Sequence, residues 1–121
     1  NKRLELHWLV EEPQLPKTAI KVLLNLGMIA GDALVRGGTL AIGGESHGEV
    51  TEIVLKAEGT RIVLDDELRR TLVDGADGRE VTPRSAAAYL IHTLVAETGG
   101  SVQVSAPAEN VLLFGATIRA G

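Results

Sequence analysis

The hydrophobic and polar positions of the chain change period several times, and each change marks an element. From Arg3 to Val10, Leu4, Leu6, Trp8 and Val10 fall on one side while Arg3, Glu5 and His7 fall on the other. That alternation predicts a half-buried strand. A loop holding Pro13 and Pro16 follows, and Pro16 suits the first turn of a helix. From about Lys17 to Val35 the spacing predicts a helix with two apolar stripes. Ile20, Leu23, Leu24, Gly27, Gly31 and Leu34 form one; Val22, Leu26, Ile29, Ala30 and Ala33 form the other. Such a helix is buried on two sides or turns one side to a partner. The first stripe is expected to face the sheet, with Gly27 and Gly31 allowing close approach. Gly37-Gly38 supplies a left-handed stop.

Thr39–Gly43 and Val50–Ala57 read as strands joined by a polar hairpin loop, Gly44 to Glu49. Asp65-Asp66-Glu67 opens a short helix with acidic residues at its N-terminus and Leu68 and Leu72 facing inward. Gly75 to Gly78 closes it. Thr82-Pro83 caps a second long helix, with Ala87, Leu90, Ile91 and Leu94 as its apolar face and Gly99-Gly100 as its end. Val102–Ser105 and Val111–Ile118 form a last hairpin around Pro107. The order β-α-β-β-α-α-β-β implies an α+β two-layer sandwich, a mixed sheet with helices on one face, formed by residues 1–121 as a single domain.

Composition narrows the function classes. The chain is 45% hydrophobic but only 2% aromatic, which leaves few rings to stack bases, sugars or flavins. A net charge of −4 argues against a nucleic-acid partner, which requires a basic surface. Without cysteine there are no disulfides, thiolate chemistry or Cys-ligated metals. No apolar run approaches membrane-spanning length, and the leading Asn1-Lys2-Arg3 runs into a strand rather than a signal peptide. These features read as a cytoplasmic protein with no membrane partner.

The segment Val22 to Gly38, VLLNLGMIAGDALVRGG, resembles the Asn-box helix of histidine kinases, vLxNLlxNAxxA followed by Gly-Gly. Leu94 to Val104, LVAETGGSVQV, resembles the closing helix, Gly-Gly turn and strand of the same Bergerat-type (GHKL-like) ATPase domains. Pro16-Lys17, LLNL, DAL and RGGTL, with a Trp in the preceding strand, are more closely similar to the C-terminal domain of ChpT-type histidine phosphotransferases. The resemblance covers essentially the whole chain.

The resemblance also defines positions where a nucleotide would be held, and this chain departs from them. Asn25 matches the first Asn of the box, but Ile29 stands where the second would ligate Mg²⁺, and an aliphatic side chain cannot do so. The D-x-G-x-G box matches Ala57-Glu58-Gly59-Thr60-Arg61, so Ala57 replaces the adenine-binding Asp and Arg61 the second Gly. The Gly-rich lid, whose amides would cradle phosphates, corresponds to Ser85-Ala86-Ala87-Ala88. The expectation is a degenerate site with no nucleotide, no metal and no other cofactor. Phosphotransferases of this type are homodimers whose N-terminal helical hairpin carries the phosphoaccepting His. That hairpin is absent from residues 1–121, so no catalytic residue is expected here. The resemblance implies response-regulator receiver domains as partners, an upstream hybrid histidine kinase, and a homodimer formed through the absent helices. Two other functions remain open: a non-catalytic interaction module on a kinase-like scaffold, and a divergent ATP-binding kinase domain, against which Ile29 and Ala57 argue.

The chain's own candidates for chemistry are weaker. His7 on the polar face of a strand and His47 between Glu45 and Glu49 read as solvated residues. His92 lies on a helix, as phosphotransfer histidines do, but Ile91 and Thr93 offer no acidic or basic companion. Asn25 is a vestige of the kinase site or a polar residue bonded within the fold. Asp65-Asp66-Glu67 reads as a helix cap rather than a Mg²⁺ site, and the Gly43-Gly44 loop joins strands and opens no helix, unlike a phosphate loop. Arg69 and Arg70 are the candidates for meeting an acidic receiver surface; a plain solvated face explains them equally.

Overall fold

Two strands can run parallel only if a crossover returns the chain to its starting end, and the first helix supplies it. In a computed structural model that describes residues 3–10 and 15–119, β1 (Leu4–Trp8) leads through α1 (Lys17–Ala33) to β2 (Gly38–His47). β1 pairs parallel with β2, Leu4 beside Gly38 and Trp8 beside Ile42. The loop expected at Pro13 lies outside the described residues. β3 (Val50–Glu58), α2 (Asp66–Asp74), α3 (Ala86–Glu97), β4 (Ser101–Val104) and β5 (Val111–Arg119) follow. The remaining strand pairs are antiparallel, giving a five-stranded mixed sheet in the order β1-β2-β3-β5-β4. The predicted element order and the α+β architecture are those observed.

The core lies between the sheet and one layer of helices. Ile53, Leu55 and Ala57 of β3 alternate inward with Leu112, Phe114, Ala116 and Ile118 of β5. Against them α1 buries Ala19, Val22, Leu23, Leu26, Ile29, Ala30 and Ala33. This corrects the expected facing of α1: its second stripe is the core stripe, and Ile20, Leu24 and Met28 stand 43%, 56% and 69% exposed. Leu23 and Leu34 of the first stripe are buried, and Gly27 does approach the sheet. A methyl group on Gly27 would sit 4.0 Å from Ile42 Cδ1 and from Leu55 Cδ2. That is ordinary contact for one carbon but no space for three more. A methyl group on Gly31, itself buried, would sit 3.6 Å from Leu4 Cδ1 of the edge strand.

We therefore expect Gly27→Leu to cost about 1–3 kcal/mol by overpacking, whereas Gly27→Ala should be neutral or gain a few tenths to about 1 kcal/mol from helix propensity. Gly31→Leu should cost less than Gly27→Leu. Urea denaturation of the three variants checks this, and equal midpoints for Gly27→Leu and Gly27→Ala would show that Gly27 does not face the sheet.

Three further readings are corrected. β1 is not half-buried: all five residues are exposed, because it is an edge strand lying beside the small-residue part of α1, which leaves its apolar face uncovered. The polar hairpin loop is mostly ladder, with pairing carried to His47 and Val50. Only Gly48, at φ +63°, and Glu49 turn the chain, and Ser46 and Thr51 hold the end of the ladder through a hydroxyl–hydroxyl bond of 3.0 Å. On α3 the buried residues are Ala88, Ile91 and Val95. Ala87 and Leu90 are exposed, because α2 and the sheet together determine which side of α3 is covered.

Candidate functional site

The C-terminal half of α1 forms one wall of a cleft of about 360 Å³, closed on its other sides by residues 63–65, the first turns of α2 and the start of α3. Ile29, Ala33, Leu64 and Leu68 make it apolar within, while Asn25, Asp32, Asp65 and Arg84 provide its polar groups. The sequence places each of these for a local reason. Asp65 is the N-cap of α2, accepting from the Glu67 backbone N–H at 2.7 Å, which satisfies an otherwise orphaned donor. Before α3, Thr82 Oγ1 accepts from Ser85 N at 3.2 Å and Ser85 Oγ accepts from Thr82 N at 3.0 Å, a reciprocal pair that fixes the turn leading into the helix. The buried Ser85, not the expected Thr82, is the N-cap of α3. Pinning Ser85 in this way projects Arg84 toward Asp65.

Arg84 Nη1 donates to Asp65 Oδ2 at 2.7 Å, bridging α2 and α3. The Arg84 guanidinium, followed by the Glu67 backbone N–H, holds the Asp65 carboxyl below the ordinary carboxylate range. Asn25 is turned back on its own helix, its Nδ2 donating to Lys21 O at 2.8 Å. The cleft thus offers an anion one guanidinium, already engaged, together with the carboxylates of Asp32 and Asp65.

The structure brings together only part of the expected site. Asn25, Ile29 and Ala87 line the cleft. Ala57, Gly59, Arg61 and Ser85 do not. Ala57 is a core residue between Leu40 and Leu112. Gly59 lies so close to Gly37 O that a methyl there would stand at 2.7 Å, and Arg61 is exposed. Sequence reasoning missed the Asp65–Arg84 bridge and the contribution of Asp32. A Thr followed three residues later by a Ser was the signal available for part of this.

The histidines occupy three separate environments. His7 Nε2 lies 3.3 Å from Glu5 and His47 Nε2 lies 3.2 Å from Glu45, all well exposed. His92 is half-buried, its Nδ1 3.1 Å from Leu72 O and its Nε2 edge packed on Gly75. Arg69 turns inward, Nη1 donating to Ser105 O with Nε buried, whereas Arg70 faces solvent. Among the described residues, no group of three or more His, Asp or Glu side chains could hold a metal, and no helix is long and apolar enough to cross a membrane.

A helix-backed mixed sheet with a cleft between α1 and the α2–α3 region is the architecture of histidine kinase catalytic domains. The catalytic domain of the histidine kinase ThkA superposes with a TM-score of 0.64 at 18% identity, covering 96% of this chain and 78% of that one. More particularly, residues 1–110 match the histidine phosphotransferase C-terminal domain family, and the chain belongs to it. It is 26% identical over 112 residues to the protein phosphotransferase ChpT of Brucella abortus (strain 2308), covering 93% of this chain and 54% of that relative. A bacterial phosphotransferase of known structure superposes with a TM-score of 0.78 at 28% identity, covering 95% of this chain and 55% of that one. The chain therefore spans about half the length of these two relatives.

Proposed function

We propose that residues 1–121 are the C-terminal, nucleotide-free domain of a longer histidine phosphotransferase in a two-component phosphorelay. In this reading the phosphoryl group leaves a receiver aspartyl phosphate, with the Asp carboxylate as leaving group, and bonds to a His nitrogen outside this chain. A second receiver's Asp then takes it. The domain contributes to the dimer's architecture and to receiver docking, with Arg70 on the exposed side of α2 as the candidate contact, since the Arg69 guanidinium expected beside it turns inward to Ser105. An exposed guanidinium beside an acidic receiver would act chiefly on the association rate. A hybrid histidine kinase upstream and a cytoplasmic location fit the same reading.

The observation that carries it is the lining of the cleft. Ile29 occupies the place of the metal-ligating Asn, and the nearby carboxylates would repel a polyphosphate. We expect no binding of ATP or ADP, with or without Mg²⁺, tighter than about 100 μM, roughly −5.5 kcal/mol. Calorimetric titration checks this. A Mg²⁺-dependent constant below that value would make the domain a divergent nucleotide-binding kinase domain instead.

A further inference from the structure

Among the described residues β1 is the outermost strand on its side of the sheet, and it lacks the usual protections of an edge. Strand edges are normally blunted by lysine, proline, bulges or a covering element. Here Leu4, Leu6 and Trp8 are 43%, 60% and 54% exposed. They border an open apolar groove of about 380 Å³ whose far wall is Leu24, Gly27, Met28 and Gly31 of α1.

The backbone and the sequence together indicate what covers this edge. Gly38 N donates to Arg3 O and Leu9 N donates to Ile42 O. In a parallel ladder this alternation turns the odd-numbered residues of β1 toward β2, leaving the amides and carbonyls of Leu4, Leu6 and Trp8 on the free edge. Those residues would exchange paired hydrogen bonds with an added antiparallel strand. The strand reads Leu4-Glu5-Leu6-His7-Trp8, and its pattern is complementary to its own reverse. An antiparallel second copy centred on Leu6 sets Leu6 opposite Leu6, Leu4 opposite Trp8 and Glu5 opposite His7. Apolar residues meet apolar residues on the helix side, and opposite polar partners meet on the other, the cross-strand pairs that stabilise sheets. A parallel copy in register would instead oppose Glu5 to Glu5. Within one copy His7 Nε2 already lies 3.3 Å from Glu5 Oε1, both side chains exposed, so they can exchange partners across the edge.

We propose that the free edge of β1 is a self-association surface. Two copies of this chain pair antiparallel about a twofold axis at Leu6, joining their sheets into one and placing each Trp8 beside the other copy's Leu4 at the Gly31 end of the groove. The contact is isologous, each copy giving and receiving the same residues. It is independent of phosphoryl transfer and separate from any dimer made through helices outside this chain.

Sedimentation velocity of the 121-residue chain over a range of concentrations tests it. The expected result is a monomer–dimer equilibrium that Leu6→Lys weakens about tenfold or more, because two ammonium groups then face each other across the axis. Leu6 is exposed, so the variant should melt close to the parent. Val54→Lys, on an exposed position of central β3, should leave association unchanged. Glu5→Lys should weaken it, and Glu5→Lys with His7→Glu should restore it, which keeps the test available should Leu6→Lys misfold. A chain still monomeric at about 0.5 mM overturns the proposal and leaves the edge to a segment of the longer protein or to another protein's strand or helix. A dimer indifferent to Leu6→Lys, one weakened equally by Val54→Lys, or one that the double exchange fails to restore overturns it as well.

Discussion

Incubated with a receiver domain carrying radiolabelled aspartyl phosphate, the 121-residue chain is expected to acquire no label, whereas on the proposed function a longer phosphotransferase containing it would become labelled. The reason lies in the three histidines the chain possesses. A phosphoacceptor needs a nitrogen lone pair free to attack in line, a group that orients the ring, and a surface that admits the donor. His7 and His47 are exposed side chains whose near neighbours are single glutamates, Glu5 and Glu45. A carboxylate that near Nε2 favours the N–H there and leaves the lone pair on Nδ1. One exposed glutamate holds the ring weakly, however, and neither ring is set in a surface built to admit a donor. His92 comes closest to the requirement, since its Nδ1 contacts the Leu72 carbonyl at 3.1 Å. That contact places the N–H on Nδ1 and the lone pair on Nε2, but Nε2 would lie only 2.9 Å from a methyl group built on Gly75. The nitrogen that could attack thus sits beside Gly75 in a hollow that His92 lines together with Asp74, Asp77 and Glu97, whose negative charge repels an incoming phosphoryl group. Label on the isolated chain that disappears in His92→Ala would mean that the surrounding carboxylates do not exclude a donor and that His92 is a phosphoacceptor after all.

Gly100→Ala should be among the most damaging single methyl additions available in this chain. The new carbon would stand 1.7 Å from Thr117 O and 2.8 Å from its carbonyl carbon, and both obstacles are backbone. Relief requires prying the start of β4 from β5, where Ser101 pairs with Thr117, or giving up the Gly100 N–H bond to Val95 O at 3.2 Å that ends α3. Either route breaks a helix–strand junction that no side-chain rotation can spare, so we expect a loss of about 3 kcal/mol or more. That is a large share of a small domain's total of about 5–15 kcal/mol. Gly48→Ala makes the control. Gly48 is left-handed at φ +63° but nothing lies within 4 Å of an added carbon, so only the conformational penalty of about 1–2 kcal/mol applies. Equilibrium denaturation of both variants decides the matter, and a Gly100→Ala protein as stable as its parent would mean that the junction is looser than its geometry indicates.

The sequence by itself determined the kinds of element and their order, because period-two and period-3.6 patterns follow from backbone geometry alone. Gly75 and Gly99 were legible as stops for the same local reason, and both take positive φ; α1 instead ends at Ala33 with Leu34 as its cap, three residues before the expected stop at Gly37. The capping role of Asp65 was legible too, since a cap bonds within its own turn, whereas the helix expected to start at Thr82-Pro83 begins at Ala86 with Ser85 as its N-cap. The proposed loss of a metal ligand at Ile29 rests on residue chemistry at a position that only the family pattern locates. Which apolar stripe of α1 meets the sheet could not be read. Both stripes are hydrophobic, and the choice depends on Ile53, Leu55, Leu112 and Phe114, residues distant in sequence that only the strand order brings beneath the helix. The exposure of β1 escaped for a related reason: alternation reports that a strand has an apolar face, not whether another element arrives to cover it. The bridge from Asp65 to Arg84, 19 residues apart, exists because α2 and α3 pack together. Local pattern specifies what each segment is, whereas facing, edge position and long-range ion pairs are set when the segments compete for the same buried surface.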